Sequence, residues 1–189
     1  MDSRNNKGER EVNCLIILED QERLKMTYHM RRKDREITER GRIVEVIKSG
    51  QYAVIGLCKE SEPYVVSMSY GFDKETDTFY FHGAKEGHKI DFIKSNPKAC
   101  LTIVQDNGYQ DGHCTHVYTS VIVRGEMVLI DDTAERVRAI KTMITHLETD
   151  GEKQHKLIDE SNKVWLNTQM FKLRIDSMTC KERPEMEEN

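Results

Sequence analysis

This sequence predicts an antiparallel β fold, barrel or sandwich, with helices at its periphery. Three observations carry the prediction. Six short β-rich segments follow one another at close spacing between residues 51 and 176. The first three run on without an intervening helix, which a doubly wound parallel sheet does not permit. Helical periodicity is confined to the start, the middle and the end of that region.

Each element has its own signal. Thr38 is a candidate N-cap for a helix whose apolar residues Ile43, Val46 and Ile47 fall at i, i+3 and i+4, with Gly50 as its stop. Residues 51–58 (QYAVIGLC) form a strand, ended by the polar turn Lys59–Pro63. PYVVSMSYGF (63–72), the turn DKETDT (73–78) and the strand TFYFHG (78–83) complete a three-stranded meander. A loop and a short helix follow, closed by Asn96-Pro97. KACLTIVQD (98–106) and YTSVIVRGEMVLID (118–131) are the fourth and fifth strands. Thr133 opens a helix with apolar Val137, Ile140, Met143, Ile144 and Leu147, and residues 148–163 are expected to hold another short one. QMFKLRID (169–176) is the last strand, and residues 181–189 read as a disordered tail.

The domain is expected to span residues 30–180. Residues 1–29, polar apart from Cys14–Leu18, read as an N-terminal extension. Lys and Arg number 29 against 33 Asp and Glu, a net charge of −4, so no basic field points to nucleic acid. The Cys14–Leu18 run is far too short to span a bilayer, and acidic residues follow it instead of a cleavage site. Five scattered cysteines without a C-x-x-C pair read as reduced thiols. A cytoplasmic protein without a membrane partner is the expectation.

The stretch FHGAKEGHKIDFIKSNP (81–97) carries the most chemistry. A strand ends on His82, small residues make the turn, and a helix begins near Lys89. A helix N-terminus offers free N–H groups and positive potential to a phosphate, Gly87 allows close backbone approach, and Lys89 adds a full charge. Lys85 is a further cation in reach. A plain connecting turn with a solvated lysine explains the same residues, and both readings stand on these grounds. HCTH (113–116) has metal-ligating residue types but no second pair at a recognisable spacing, so it reads as a loop or strand start. Ser67, Ser69 and Ser120 lack a nucleophile-elbow context and read as polar strand positions. Trp165 reads as a packing aromatic, and the Arg31–Arg32–Lys33 cluster with Arg35 as a solvated face.

MRRKDREIT (30–38), PYVVSMSYGF, TFYFHGAKEGHKIDFIKSNPKACL and FKLRIDSMTCKERP occur in an order and spacing that resembles one family. This is the pyridoxamine 5′-phosphate oxidase-like group of FMN-binding split barrels, and within it the branch of 5-nitroimidazole-resistance nitroreductases. The resemblance runs from Met30 to Pro184. It implies a six-stranded antiparallel split β-barrel, mainly β with peripheral helices, forming a homodimer with FMN in grooves at the interface. It further implies that main-chain groups near Val66, Ser67, Met68 and Ser69 bond the flavin's pyrimidine edge. His82, Gly83 and Ala84 lie near the ribityl chain and flavin, and Gly87 and Lys89 hold the phosphate. Tyr118 and Ser120 come from the second subunit, and His82 stands near flavin and substrate as the candidate catalytic residue.

Two departures stand out. The family usually carries proline at Ser67 and glycine at Cys180; Ser67 keeps its carbonyl and gains an N–H, and Cys180 falls near the expected tail. The implied activity is FMN-dependent reduction of nitroaromatic or related small molecules, with NAD(P)H or another electron donor. A flavin carrier or redox sensor without turnover is the alternative, and a barrel holding haem or another cofactor is a third reading. The basic substrate-phosphate residues of a true pyridoxamine phosphate oxidase have no counterparts here.

Overall fold

The computed structural model describes residues 30–149, 158 and 168–186. The chain divides into two units, Met1–Arg31 and Arg32–Asn189, and the architecture is that of the second. The expected extension over residues 1–29, the expected helix within 148–163 and Trp165 lie outside the described residues, apart from Glu148, Thr149 and Ile158.

After a single 3₁₀ turn at Lys33–Arg35, the elements are β1 (Glu36–Ile37), α1 (Arg40–Ser49), β2 (Tyr52–Lys59), β3 (Glu62–Asp73), β4 (Thr78–Gly83), α2 (His88–Ser95), β5 (Lys98–Gln110), β6 (Thr115–Ile130), α3 (Thr133–Leu147) and β7 (Gln169–Arg183). Every strand pairing is antiparallel. The order β7-β4-β3-β2-β5-β6 closes through a β6–β7 pairing, so six strands form a ring, and β1 adds two residues to the outer edge of β7. This is a split barrel, as expected.

The split has a definite place. β3 pairs with β2 from Glu62 to Ser69, then with β4 from Tyr70 to Asp73. One strand is thus shared end to end between two partners. Among the described residues, no strand lies along the edge of residues 62–69 that faces away from β2.

The barrel interior holds Ile55, Tyr70, Phe79, Phe81, Leu101, Ile103, Val121, Val123 and Phe171, each no more than 1% exposed. Ile43, Val46 and Ile47 of α1 join this core, as do Ile90, Phe92 and Ile93 of α2. Both helices therefore bury the stripe that their spacing predicted. α3 lies on the outside, where Ala139 and Met143 pack with Tyr80, Ile130 and Met170. Its buried face is Arg136, Ala139 and Met143, one step around from the expected stripe; Val137, Ile140, Ile144 and Leu147 are half-buried on its flanks. Gly71 of β3 makes this contact possible, because a Cβ there would sit 2.6 Å from the Met143 backbone.

Several expectations are corrected. Glu39, not Thr38, caps α1, its carboxylate accepting the N–H groups of Gly41 and Arg42 at 2.7 and 2.6 Å. Its longer side chain reaches back to donors that the Thr38 hydroxyl, one residue earlier, does not meet. The last strand does not end at Asp176, nor does a disordered tail begin at 181. β7 continues to Arg183, and residues Thr119 to Tyr118 of β6 pair with Glu182 and Arg183. Beyond it, the Gln110 side chain bonds both the carbonyl and the N–H of Met186, at 2.7 and 2.8 Å. Residues 187–189 lie outside the described residues. Cys180 is accordingly a core residue, 1% exposed opposite Val121. Burial pushes its thiol pKa up to about 11, which keeps it protonated and unreactive.

His146 near the end of α3 donates its Nε2–H to the Gly50 carbonyl at 2.7 Å and stacks on Tyr70, 4.7 Å between ring centroids. Burial lowers its pKa, the Gly50 bond opposes that, and Lys48 adds to the lowering. The unfolded chain therefore takes up this proton first as pH falls, so stability present above the ordinary imidazole pKa is lost toward the folded value. The urea midpoint should drop between pH 7 and pH 5, and His146→Gln should flatten that drop; an equally steep drop in the variant would refute it. Gly71→Val should cost roughly 1–3 kcal/mol by forcing α3 off the sheet. A calorimetric midpoint that does not move would show that α3 does not rest on Gly71.

Candidate anion and cofactor site

Where β3 leaves β2's partner edge open, β4 also stops. Tyr70 pairs with Phe81, but His82 and Gly83 pair only with Met170 and Gln169 of β7. The end of β4 and the open edge of β3 thus diverge. α2 fills the divergence with its first turn. On one side His88 and Phe92 meet Tyr64 of β3, with ring centroids 6.3 and 5.1 Å away. On the other side Lys89 folds back onto β4, its Nζ 2.7 Å from where a Cβ of Gly83 would lie. A larger residue at position 83 would displace the flexible end of the Lys89 side chain from this spot.

The turn that delivers α2 depends on Gly87, which has φ +115° and ψ 175° and serves as N-cap without a side chain. Its carbonyl accepts the N–H groups of Ile90 and Asp91, at 2.9 and 3.3 Å. No side chain caps the helix, so its first N–H groups face the Ala84–Gly87 loop. Among the described residues, no carboxylate stands within ion-pair distance of Lys89. A helix N-terminus with no side-chain cap, an ammonium beside Gly83 and an exposed loop make this a candidate seat for an anion, although Asp91 places one acidic charge in the same first turn.

His82 is exposed at the end of β4. The protein around its ring still excludes enough water to push its pKa down, and the Lys89 ammonium lowers it further. The imidazole is therefore neutral at pH 7, able to donate one N–H and accept at the other nitrogen.

Of the expected site residues, His82, Gly83, Ala84, Gly87 and Lys89 come together here, beside the β3 segment Val66–Ser69. Met68 points into the core, whereas Ser67 and Ser69 are exposed on the outer face and Val66 is half-buried. Tyr118 and Ser120 are not part of the assembly within one chain. They lie on β6, with β2 and β5 between it and β3, so they stand roughly 14 Å away at ordinary strand spacing. Ser120 is buried, and Lys181 sits 5.4 Å over the Tyr118 ring. The seat formed by Tyr64, His88 and Phe92 was not anticipated; the i, i+4 spacing of His88 and Phe92 is its signal in the sequence.

HCTH lies at the tip of the β5–β6 hairpin, as a turn running into Thr115. Cys114 takes φ +48°, and His116 bonds Asp106 at 3.0 Å while packing on Tyr109. Among the described residues no group of three or more His, Cys, Asp or Glu could hold a metal ion. No helix among them is long and apolar enough to cross a membrane.

A closed six-stranded ring, split beside an anion seat, defines the class of split-barrel proteins with a groove at the β3–β4 divergence. The chain belongs to the pyridoxamine 5′-phosphate oxidase family, whose model matches residues 39–182. A candidate 5-nitroimidazole antibiotic resistance protein from Bacteroides thetaiotaomicron is similar to it at 27% identity, with 78% of this chain and 86% of that one covered and a TM-score of 0.66. The flavocytochrome Anf3 from Azotobacter vinelandii superposes with a TM-score of 0.70 at 19% identity over 86% of this chain and 76% of that one. An FAD- and heme-binding protein from Mycobacterium smegmatis does so at 0.65 and 16%, over 82% and 76%. These last two share the fold. None of the curated proteins compared matches the chain.

The electrostatic influence of Lys89 on His82 is directly measurable. Lys89→Met removes the positive charge that opposes the imidazolium, so the His82 pKa should rise, while remaining below that of a free imidazole because burial persists. Titration of the ring protons by NMR reads this out. An unmoved pKa would mean that the ammonium does not lie beside the ring.

Proposed function

We propose that this chain binds FMN at the β3–β4 divergence and is an FMN-dependent oxidoreductase acting on small electron-poor molecules, with nitroaromatics of the 5-nitroimidazole type as the substrate class. The observation that carries this reading is the Lys89 ammonium held over Gly83 at an uncapped helix N-terminus, beside an unpaired strand edge. The residues fit the group. A terminal phosphate needs charge and N–H donors, which Lys89 and the start of α2 supply. A pyrimidine edge needs alternating donors and acceptors, which the open main chain of Val66–Ser69 supplies. FMN, when bound, supplies the redox chemistry, taking up a hydride from a donor and passing reducing equivalents on.

The chain's own residues then have separate tasks. Lys89 and the Gly87–Lys89 backbone anchor the phosphate. The N–H groups of β3 favour negative charge on the ring edge that they face. His82, neutral at pH 7, orients a substrate by hydrogen bonding and relays a proton taken from solvent.

We place a second copy of the chain on the outer face of β3, β2 and β5. Tyr52, Val65 and Val104 are 62%, 64% and 53% exposed on that sheet, an unusual set of large apolar residues to leave in water. Such a homodimer gives Tyr118 and Ser120 a route to the groove of the other copy. The similarity to the Bacteroides protein supports the substrate class, and the flavin-binding neighbours support the cofactor.

Purified protein should be yellow and release FMN on denaturation. Lys89→Met should weaken FMN roughly ten- to a hundredfold through loss of charge-assisted bonds. His82→Ala should retain FMN and lose about a hundredfold or more in anaerobic, nitroimidazole-dependent NAD(P)H oxidation. No FMN binding at micromolar concentration would refute the cofactor; bound FMN with no turnover would replace the enzyme by a flavin carrier.

A further inference from the structure

A second concavity lies away from the β3–β4 divergence and shares no lining residue with it. It is a cleft of about 830 Å³ between α3, the β3–β4 turn and the last turn of α1. We propose that this cleft binds a small organic anion with a flat apolar body, of the aromatic carboxylate class.

The charge balance favours an anion. Lys48, Lys74, Arg138 and Lys141 line the cleft, against two acids, Asp73 and Glu75. Both acids are engaged on the β3–β4 turn itself, and the four cations still outnumber them. The Asp73 carboxylate accepts the N–H groups of Glu75 and Thr76 at 3.0 and 3.4 Å, which ties it to its own turn. Glu75 stands 3.4 Å from Lys74 and offsets it. Lys48 and Arg138 have no carboxylate within ion-pair distance among the described residues, and both are exposed. They leave the cleft with a net positive charge.

The floor favours an apolar body. Phe72 is 6% exposed at the base, and Val137 and Ala134 form the α3 wall. The flat ring of His146 closes one end, fixed by its bond to Gly50. This combination resembles the general design of ligand sites, an apolar bed with a few convergent polar groups. The planar guanidinium of Arg138 matches a carboxylate in both spacing and plane, and the Thr142 hydroxyl offers a further donor on the same wall.

The probe is 2-naphthoate, titrated into the protein with and without saturating FMN and followed by heteronuclear NMR. The amides of Phe72, Val137 and Thr142 should shift saturably under both conditions. The Lys48→Gln/Arg138→Gln double variant should keep its spectral dispersion and bind about five- to tenfold more weakly, as expected for two partly screened charges. Uncharged 2-naphthalenemethanol should be weakened by a similar factor in the unaltered protein. The proposal is overturned by an absence of saturable shifts at millimolar probe, by shifts confined to residues 64–69 and 82–89, or by equal affinity in the folded double variant. Because the cleft is read out without FMN as well as with it, its failure is distinguishable from a failure of the flavin reading.

Discussion

The handover of β3 from one partner to another, between Ser69 and Tyr70, is the constraint on which the rest of the molecule turns. A barrel closes only when each strand finds two neighbours. β3 pairs with β4 for just four residues, Tyr70 to Asp73, and among the described residues the edge of Glu62–Ser69 that faces away from β2 has no strand to receive it. Such an edge is a hazard for association unless it is covered or used. Here α2 meets its far end at Tyr64, and the stretch between is free to bond a ligand. Tyr70 itself is locked at the handover by burial, by its hydroxyl bond to the Ile47 carbonyl, and by the rings of Phe79 and His146. Rigid aromatic packing on one side of the handover thus holds the open edge on the other.

The barrel's periodicities were plain in the chain because they are local. Strand alternation, the i, i+3, i+4 stripes of the helices, and the Asn96-Pro97 stop each depend on a few neighbouring residues. The errors fall where distant contacts decide. β7 was cut short at Asp176 because its alternation breaks there: Arg124 pairs with Ser177 and Gly125 with Ile175, so Asp176 is an extra residue. After such a bulge the inward phase changes from odd to even positions, and Met178 and Cys180 face in where Phe171, Leu173 and Ile175 did before. The charged residues 181–183 that follow read as the start of a tail although they pair with Ser120, Thr119 and Tyr118 of β6. α3 buries Met143 of its expected stripe but turns Arg136 and Ala139 inward with it, for a similar reason. Its contact is set by Gly71 on another element, which admits the helix backbone itself.

The site was legible to a different degree at each residue. Gly87 and Lys89 admit an anion seat from sequence alone, as the weaker of two readings beside a plain connecting turn. The structure adds what the spacing cannot hold, that Lys89 turns back across six positions of chain to lie on Gly83. That contact also explains a neighbouring electrostatic fact. The same ammonium that would meet a phosphate makes it harder for His82 to carry a proton. Tyr118 and Ser120 entered through resemblance, and a single chain leaves them far from the groove; only an argument about a second copy can bring them back.

Likeness of fold decides less about chemistry than this local arrangement does. This split barrel superposes on a candidate antibiotic-resistance protein, on a flavocytochrome and on an FAD- and heme-binding protein, at TM-scores of 0.66, 0.70 and 0.65 that do not separate them. What distinguishes one site from another is which charged groups are held without a partner, and where. At the β5–β6 tip the His116 side chain is bonded to Asp106, and among the described residues no His, Cys, Asp or Glu cluster could hold a metal ion. Among the described residues, no carboxylate lies within ion-pair distance of the Lys89 cation at the β3–β4 divergence. A lysine in the first turn opposes the helix dipole, which Asp91 in the same turn complements.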